Sequence, residues 1–208
     1  MRVLLAATLM TVACRSGAGV DGPQILQPGS PGQPSRPIAA DRAADLSGVG
    51  FTEADVRFMQ GMIGHHAQAV EMVALLPGRS TSEPMRLLAQ RIEVSQADEI
   101  VMMRRWLSDR GQALPDPHAH HAPGGLMPGM LSEEAMDRLK RARGIEFDRL
   151  FLEGMIQHHL GALTMVRDLF AVGGAGQESE IFAFSADVDA DQRMEIERMG
   201  AMLQELQP

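Results

Sequence analysis

This chain of 208 residues has little cysteine, few aromatic side chains and no excess of positive charge. Its single cysteine, Cys14, excludes an internal disulfide, so the core or a bound ligand must supply stability. Tyrosine is absent and aromatic residues make up 4%, so the 16 methionines must help to fill the interior. A formal net charge of −8 argues against a nucleic-acid-binding protein, which needs clustered lysine and arginine. No stretch has the alternation that is typical of a strand.

Residues 1–14 have the pattern of a signal peptide. Arg2 supplies the positive start, and the apolar stretch over residues 3–10 is too short to span a bilayer as a helix. The small residues before Cys14 predict a lipoprotein signal in which this cysteine is lipidated. Thr11 stands where such signals usually have leucine, and a plain secretory peptide is the alternative. Both interpretations predict an extracytoplasmic protein, in the periplasm or at the cell surface.

A tether and a helical domain follow the signal. Residues 15–50 are rich in glycine and proline and predict a flexible tether. Thr52 and Asp55 fit a capping box, and helical spacing of apolar residues begins there. We therefore expect a helical domain over residues 51–208. Its predicted parts are a first repeat at about 51–111, a linker at 112–131 and a second repeat at about 132–206.

The most informative feature is an internal repeat. Residues 58–72 (FMQGMIGHHAQAVEM) return 93 positions later as residues 151–165 (FLEGMIQHHLGALTM). The next helix of each half also repeats, with an offset of 96, in the pattern Gln-x-x-Glu-Ile-x-x-Met. Two helix pairs joined by a longer crossover predict an all-α four-helix bundle with an approximate two-fold axis.

The repeated polar and sulfur-containing residues are candidate metal ligands, since imidazole and thioether groups suit copper. Packing alone does not need paired histidines at matched positions, although a methionine stripe is also typical of a core. The stripes on the second helices place glutamine, glutamate and methionine towards the facing histidines, and hydrogen bonds between the polar side chains and the imidazole rings are expected there. A buried polar network that sets the register of the bundle is the alternative. The repeated Gly61 and Gly154 predict a close approach of another backbone.

The crossover carries another cluster of imidazole and thioether groups. It comprises His118, His120, His121, Met127 and Met130. The cluster is either a flexible metal-binding segment or a solvated linker that happens to be rich in histidine.

The chain resembles the DUF305 family, secreted bacterial proteins with a twice-occurring Met-Ile-x-His-His segment on a ferritin-like four-helix bundle. The segments that carry the resemblance are residues 61–66 (GMIGHH) and 154–159 (GMIQHH), with the Met-Pro-Gly-Met sequence of the linker. Some members bind copper, so the resemblance implies a copper site in each half. The implied ligands are Met62, His65, His66, Met72, Met155, His158, His159 and Met165.

Further groups are expected as additional ligands or as hydrogen-bond partners of the histidines. They are Asp55, Gln96, Glu99, Met103, Asp148, Gln192, Glu195 and Met199, together with the five crossover residues. Leu152 stands where the first copy has Met59, so the two sites are expected to differ in strength.

Three functions remain open from the sequence. The first is a copper-binding protein that captures, buffers or transfers Cu(I) or Cu(II) without catalytic turnover, with a copper transporter or a cuproprotein as its partner. The second is a ferritin-like metal-dependent oxidase, which is disfavoured because methionine or isoleucine occupies the position three before each histidine. The third is a metal-free structural or partner-binding helical lipoprotein.

Overall fold

The computed structural model describes residues 25–29, 31–44, 50–115 and 126–206. The expected signal peptide with Cys14, and the crossover residues His118, His120 and His121, lie outside the described residues. Most of the described chain is helical, which confirms the all-α prediction. The helices are α1 (Ala40–Ala44), α2 (Glu53–Ala74), α3 (Glu83–Asp109), α4 (Glu133–Arg141), α5 (Gly144–Ala171) and α6 (Ser179–Glu205).

Side-chain caps define where α2, α3 and α4 begin. Thr52 caps α2 through the expected capping box, in which Asp55 N donates to Thr52 Oγ1 at 3.2 Å and Thr52 N donates to Asp55 Oδ2 at 2.7 Å. Ser82 and Ser132 cap α3 and α4 through their hydroxyl groups. These caps satisfy amide groups that the first turn of a helix leaves without partners.

A short strand pair precedes the bundle. Strands β1 (Ile25–Gln27) and β2 (Arg36–Ile38) pair antiparallel, with Ile25 opposite Ile38. The expectation that no stretch forms a strand is wrong here, because each strand is only three residues long and shows no readable alternation. Gln27 Nε2 donates to Gln177 Oε1 at 2.7 Å and connects this pair to the turn between α5 and α6.

The four long helices form the expected bundle of two helix pairs. Helix α2 packs on α3, α5 packs on α6, and the two pairs join where α2 crosses α5. Side chains at the crossing show that α2 and α5 run antiparallel, since Met165 lies against Gly61 and Met72 lies against Gly154. The repeats are therefore related by an approximate two-fold axis through the α2–α5 contact.

Two apolar clusters fill the bundle on either side of the buried histidines. One is built around Phe58, Met62 and Trp106, and the other around Phe147 and Met155. Within the described ranges, no helix is both long enough and apolar enough to cross a membrane.

Candidate metal centre

The four repeated histidines lie completely buried at the crossing of α2 and α5. The rings of His65 and His158 stack across the approximate two-fold axis, with centroids 3.8 Å apart and planes inclined by 34°. Adjacent rings lie much further apart, at 6.4 Å for His65 and His66 and at 6.2 Å for His158 and His159. This separation follows from the rotation of about 100° between consecutive helical residues.

Each of the four rings uses its Nε2 atom in a hydrogen bond. His65 donates to the carbonyl oxygen of Pro128 at 3.0 Å, and His158 donates to the carbonyl oxygen of His65 at 2.9 Å. The outer pair reach carboxylates on the neighbouring helices. His66 Nε2 lies 2.5 Å from Glu99 Oε2, and His159 Nε2 lies 2.7 Å from Glu195 Oε2.

These bonds determine which nitrogen carries the proton. A carbonyl oxygen only accepts hydrogen bonds, so His65 and His158 must be protonated at Nε2. Burial lowers the pKa of His65 to about 3, and the neighbouring His66 acts in the same direction. Burial likewise lowers the pKa of His158 well below its ordinary value. Both rings are therefore neutral near pH 7, and each Nδ1 atom has a free lone pair.

All four Nδ1 atoms are buried, and none has a hydrogen-bond partner among the residues that the structure describes. An acceptor left in this state costs about 1–3 kcal/mol, and native proteins rarely tolerate it. Two further orphaned atoms, Gln96 Oε1 and Gln192 Oε1, are also related by the repeat. The same defect thus occurs in both halves, which indicates a group of sites with a common purpose rather than isolated packing errors.

The expected hydrogen bonds between histidine and glutamate are present in both halves, and this prediction is confirmed. The matching expectation for the glutamines is wrong at their oxygen atoms, because Gln96 Oε1 and Gln192 Oε1 accept no hydrogen bond from either histidine within the described residues. The two glutamates also have different surroundings. The side chain of Glu99 is 17% exposed, whereas that of Glu195 is 4% exposed and receives a bond of 3.3 Å from Arg91 Nε.

Each of the two apolar clusters contains methionines from both copies of the repeat. Met62 and Met103 lie in the apolar cluster that Met165 also joins, whereas Met72, Met155 and Met199 lie in the other cluster. The same arrangement brings Met165 against Gly61 of the first copy and Met72 against Gly154 of the second. Met165 is partly exposed and the other five are fully buried. Each end of the bundle therefore combines thioether groups from both copies of the motif.

Residues 127–131, which we call the strap, cover the α2–α5 crossing. Met127 and Met130 are both buried in it, and Pro128 supplies the carbonyl group that His65 binds. Gln68 holds the strap by donating to Leu131 O at 3.0 Å and accepting from Leu131 N at 2.8 Å. Sequence reasoning found the two methionines of this segment but missed the backbone contact with His65.

The strap also explains where two backbones meet. The expectation for Gly61 and Gly154 is wrong, because the nearest atoms to a Cβ at either position belong to side chains. The close approach occurs instead at Gly161, where a Cβ would lie 1.9 Å from Pro128 O and 2.6 Å from Gly129 Cα. Gly129 itself has a φ of +75°, which side chains disfavour.

The two repeated aspartates differ. Asp55 accepts from Thr52 N and Thr52 Oγ1, and its Oδ1 atom accepts from Gly176 N at 2.7 Å, so its carboxylate is fully used in holding the fold. Its repeat mate Asp148 is buried, and its Oδ1 atom has no partner. Within the described residues, the hydrogen bonds that occupy the carboxylate of Asp55 are therefore not repeated at Asp148 Oδ1.

No three histidine, cysteine, aspartate or glutamate side chains within the described residues converge closely enough to hold a metal ion. A metal centre with three or more protein ligands in this part of the chain would therefore need a donor of another kind, such as methionine sulfur. The donor chemistry is compatible with that requirement, because the apolar cluster on each side of the buried histidines contains methionines of the repeated motifs. Thioether and imidazole ligands favour copper over hard cations such as magnesium or calcium.

A duplicated four-helix bundle with buried paired histidines defines the class of this protein, and comparison with known proteins identifies its family. The model of the domain of unknown function DUF305 matches residues 55–203, and the chain belongs to that family. No curated protein matches the chain.

Solved structures agree with this assignment. A DUF305 fragment from Deinococcus radiodurans is 31% identical over 74% of this chain and 98% of its own, with a TM-score of 0.64. A DUF305 protein from Streptomyces coelicolor, provisionally described as secreted, is 30% identical over 74% of this chain and 93% of its own, with a TM-score of 0.64. CopM in the Cu(II)-bound form is 26% identical over 74% of this chain and 97% of its own, with a TM-score of 0.61.

Proposed function

We propose that this protein binds copper outside the cytoplasm and captures, buffers or transfers it without catalytic turnover. The observation that carries the proposal is the set of four buried Nδ1 atoms without partners. Hydrogen bonds at Nε2 orient every ring and leave Nδ1 to accept a metal ion, which is how proteins commonly prepare histidine ligands. The proposed ligands are the histidine and methionine residues of the two repeated motifs. Each site would combine methionines from both copies of the motif, as the two apolar clusters do.

The choice of copper rests on ligand chemistry and on one relative. Uncharged thioether and imidazole groups suit Cu(I), and the same imidazoles also accept Cu(II). CopM, which shares this fold, is described in a Cu(II)-bound form and in a Cu(I)-bound form. The second copy of the motif has Leu152 where the first copy has Met59, and we infer that the site of the second copy is the weaker one for Cu(I).

Copper titration tests the proposal. Purified protein without its signal peptide is titrated with Cu(I) against a competing chelator under anaerobic conditions. Replacing both His65 and His66 by alanine should remove about half of the tightly bound copper, because one of two sites loses its imidazoles. Unchanged stoichiometry in the folded double variant would contradict the bundle sites and would point to His118, His120 and His121.

A milder substitution guards against loss of the fold. Met62→Leu preserves the apolar volume and should cost less than about 1.5 kcal/mol of stability. It should weaken Cu(I) binding because it removes a thioether ligand. Met85→Leu is the matched control, since Met85 is equally buried but lies at the start of α3, outside both repeated motifs. Equal copper affinity in the two variants would argue that the sulfur of Met62 only fills space.

The proposed location depends on the N-terminal segment. We propose that Cys14 is lipidated and that residues 15–50 tether the bundle to a membrane, where it would meet a copper transporter or a cuproprotein. Metabolic labelling with a radioactive fatty acid should label the wild-type protein. Labelling should be lost in Cys14→Ala, whereas retention of the label would contradict the proposal.

A further inference from the structure

A groove between α3 and α6 opens into two cavities that the internal repeat relates to each other. The larger cavity has a volume of about 620 Å³ and includes Glu99, and the smaller has a volume of about 340 Å³ and includes Glu195. Every residue that lines the smaller cavity has its repeat mate, at the offset of 96, in the lining of the larger one. The two cavities are therefore equivalent positions on the two halves of the bundle.

The equivalent cavities carry opposite charges. Six carboxylates and a single arginine line the larger cavity, which we call the acidic end of the groove. Two arginines and a single carboxylate line the smaller cavity, the basic end. The reversal arises at matched positions, because Arg91 at the basic end corresponds to Asp187 at the acidic end.

Each end leads to a buried histidine through the glutamate that binds it. At the acidic end, partly exposed Glu99 contacts solvent on one side and His66 Nε2 on the other, and His66 is completely buried with its Nδ1 atom unpartnered. At the basic end, the guanidinium group of Arg91 lies against Glu195 Oε1 and leaves that side chain 4% exposed.

We propose that cations reach the buried histidines through the acidic end and that Arg91 closes the basic end to them. This inference rests on the proposed function, and its ligand is a copper ion. A cleft lined by charges of one sign raises the local concentration of counter-ions and their association rate by about 10–10³-fold. A cation at the basic end meets two arginines and must displace half-exposed Arg91 from buried Glu195 before it reaches His159. The half with His66 therefore exchanges copper with solvent, and the half with His159 retains it.

The sole tryptophan of the chain, Trp106, is buried in the lining of the acidic end and provides the readout. Cu(II), a paramagnetic ion, quenches a fluorophore close to it, so stopped-flow fluorescence follows the arrival of Cu(II) at this end. Asp187→Arg should slow the quenching about tenfold at low ionic strength and should flatten its dependence on salt. Asp168→Arg makes the same charge change on α5 at an exposed position outside both cavities, and it should leave the rate unchanged.

A second variant makes the test independent of how well the first one folds. Arg91→Gln removes the guanidinium group from Glu195 and should accelerate the slower phase of copper binding, measured by competition with a chelator. Equal rates in wild type, Asp187→Arg and Arg91→Gln, with copper bound at equilibrium, would overturn the inference and leave the proposed function intact. Absence of copper binding in all of them would refute the proposed function itself.

Discussion

Acidification should destabilise the metal-free protein because His65 stays neutral inside the fold. Burial lowers the pKa of His65 to about 3, whereas the same side chain has a pKa of 6.5 without the influence of the fold. Between these two values the unfolded chain binds a proton that the folded protein does not bind. The free energy of unfolding therefore decreases as the pH falls from about 6.5 towards about 3, and the loss stops where the folded protein also takes up the proton.

The size of the effect follows from the separation of the two pKa values. Each pH unit below 6.5 is worth about 1.4 kcal/mol, so His65 alone should lower the free energy of unfolding by about 3 kcal/mol at about pH 4.5. His158 acts in the same direction, since burial also lowers its pKa. Domains are typically stable by about 5–15 kcal/mol, so this loss should be easy to measure.

Urea unfolding of the wild type and of His65→Gln, followed by circular dichroism with a chelator present, isolates this contribution. Glutamine does not titrate, and its amide group keeps a donor for the carbonyl oxygen of Pro128. The carboxylates are common to both proteins, so their contribution to the pH dependence cancels. Between about pH 7 and pH 4.5 the wild type should lose about 3 kcal/mol more than the variant. Parallel pH profiles would refute the idea that His65 is buried in its neutral form.

Two further predictions concern the frame around the histidines. Gly161→Ala should lower the free energy of unfolding by at least about 2 kcal/mol in urea unfolding, because its methyl group would displace the strap. Gly173→Ala is the control and should be neutral, because a methyl group at that position meets nothing within 4 Å. Equal effects of the two substitutions would contradict the close contact between Gly161 and Pro128. Asp55→Asn should lower the thermal midpoint and cost about 1–2 kcal/mol of stability, because Asp55 accepts hydrogen bonds from Thr52 and Gly176. The matched substitution in the second copy, Asp148→Asn, should cost less than about 0.5 kcal/mol, because no hydrogen bond is lost at Oδ1. A larger loss for Asp148→Asn would show that its carboxylate has a structural role.

The repeat made much of this fold predictable from one sequence. Matched histidines at the same helical phase predicted the bundle and its approximate two-fold axis, and the glutamate stripe predicted the bonds from His66 to Glu99 and from His159 to Glu195. Helical spacing carries this information because it determines which side chains share a face. The helix start at Thr52 was readable for a similarly local reason, the capping box that it forms with Asp55.

Contacts between distant segments were not predictable from spacing. The Met-Pro-Gly-Met sequence announces a turn, but nothing in it specifies that the carbonyl group of Pro128 will meet the ring of His65. Met72 and Met165 each lie against a glycine of the other motif copy because α2 and α5 cross in antiparallel directions. Periodicity within one helix gives no information about that crossing. The charge difference between the two ends of the groove emerges only once α3 and α6 lie side by side.

The divergence between the two copies separates the roles of packing and binding. Seven of the 15 motif positions differ between the copies, so the fold tolerates many substitutions on these helices. The surroundings have also lost their symmetry, since Asp148 lacks the bonds of Asp55 and Arg91 replaces the acid at Asp187. Both histidine pairs nevertheless keep the same partner type at Nε2 on their outer rings and the same unpartnered Nδ1 atom on all four. A defect of about 1–3 kcal/mol per atom that occurs in both copies is hard to attribute to packing, because substitution of either pair by apolar residues would remove it. A bound metal ion would remove the defect and keep the histidines, which is why the orphaned nitrogens support metal binding more strongly than the methionines do.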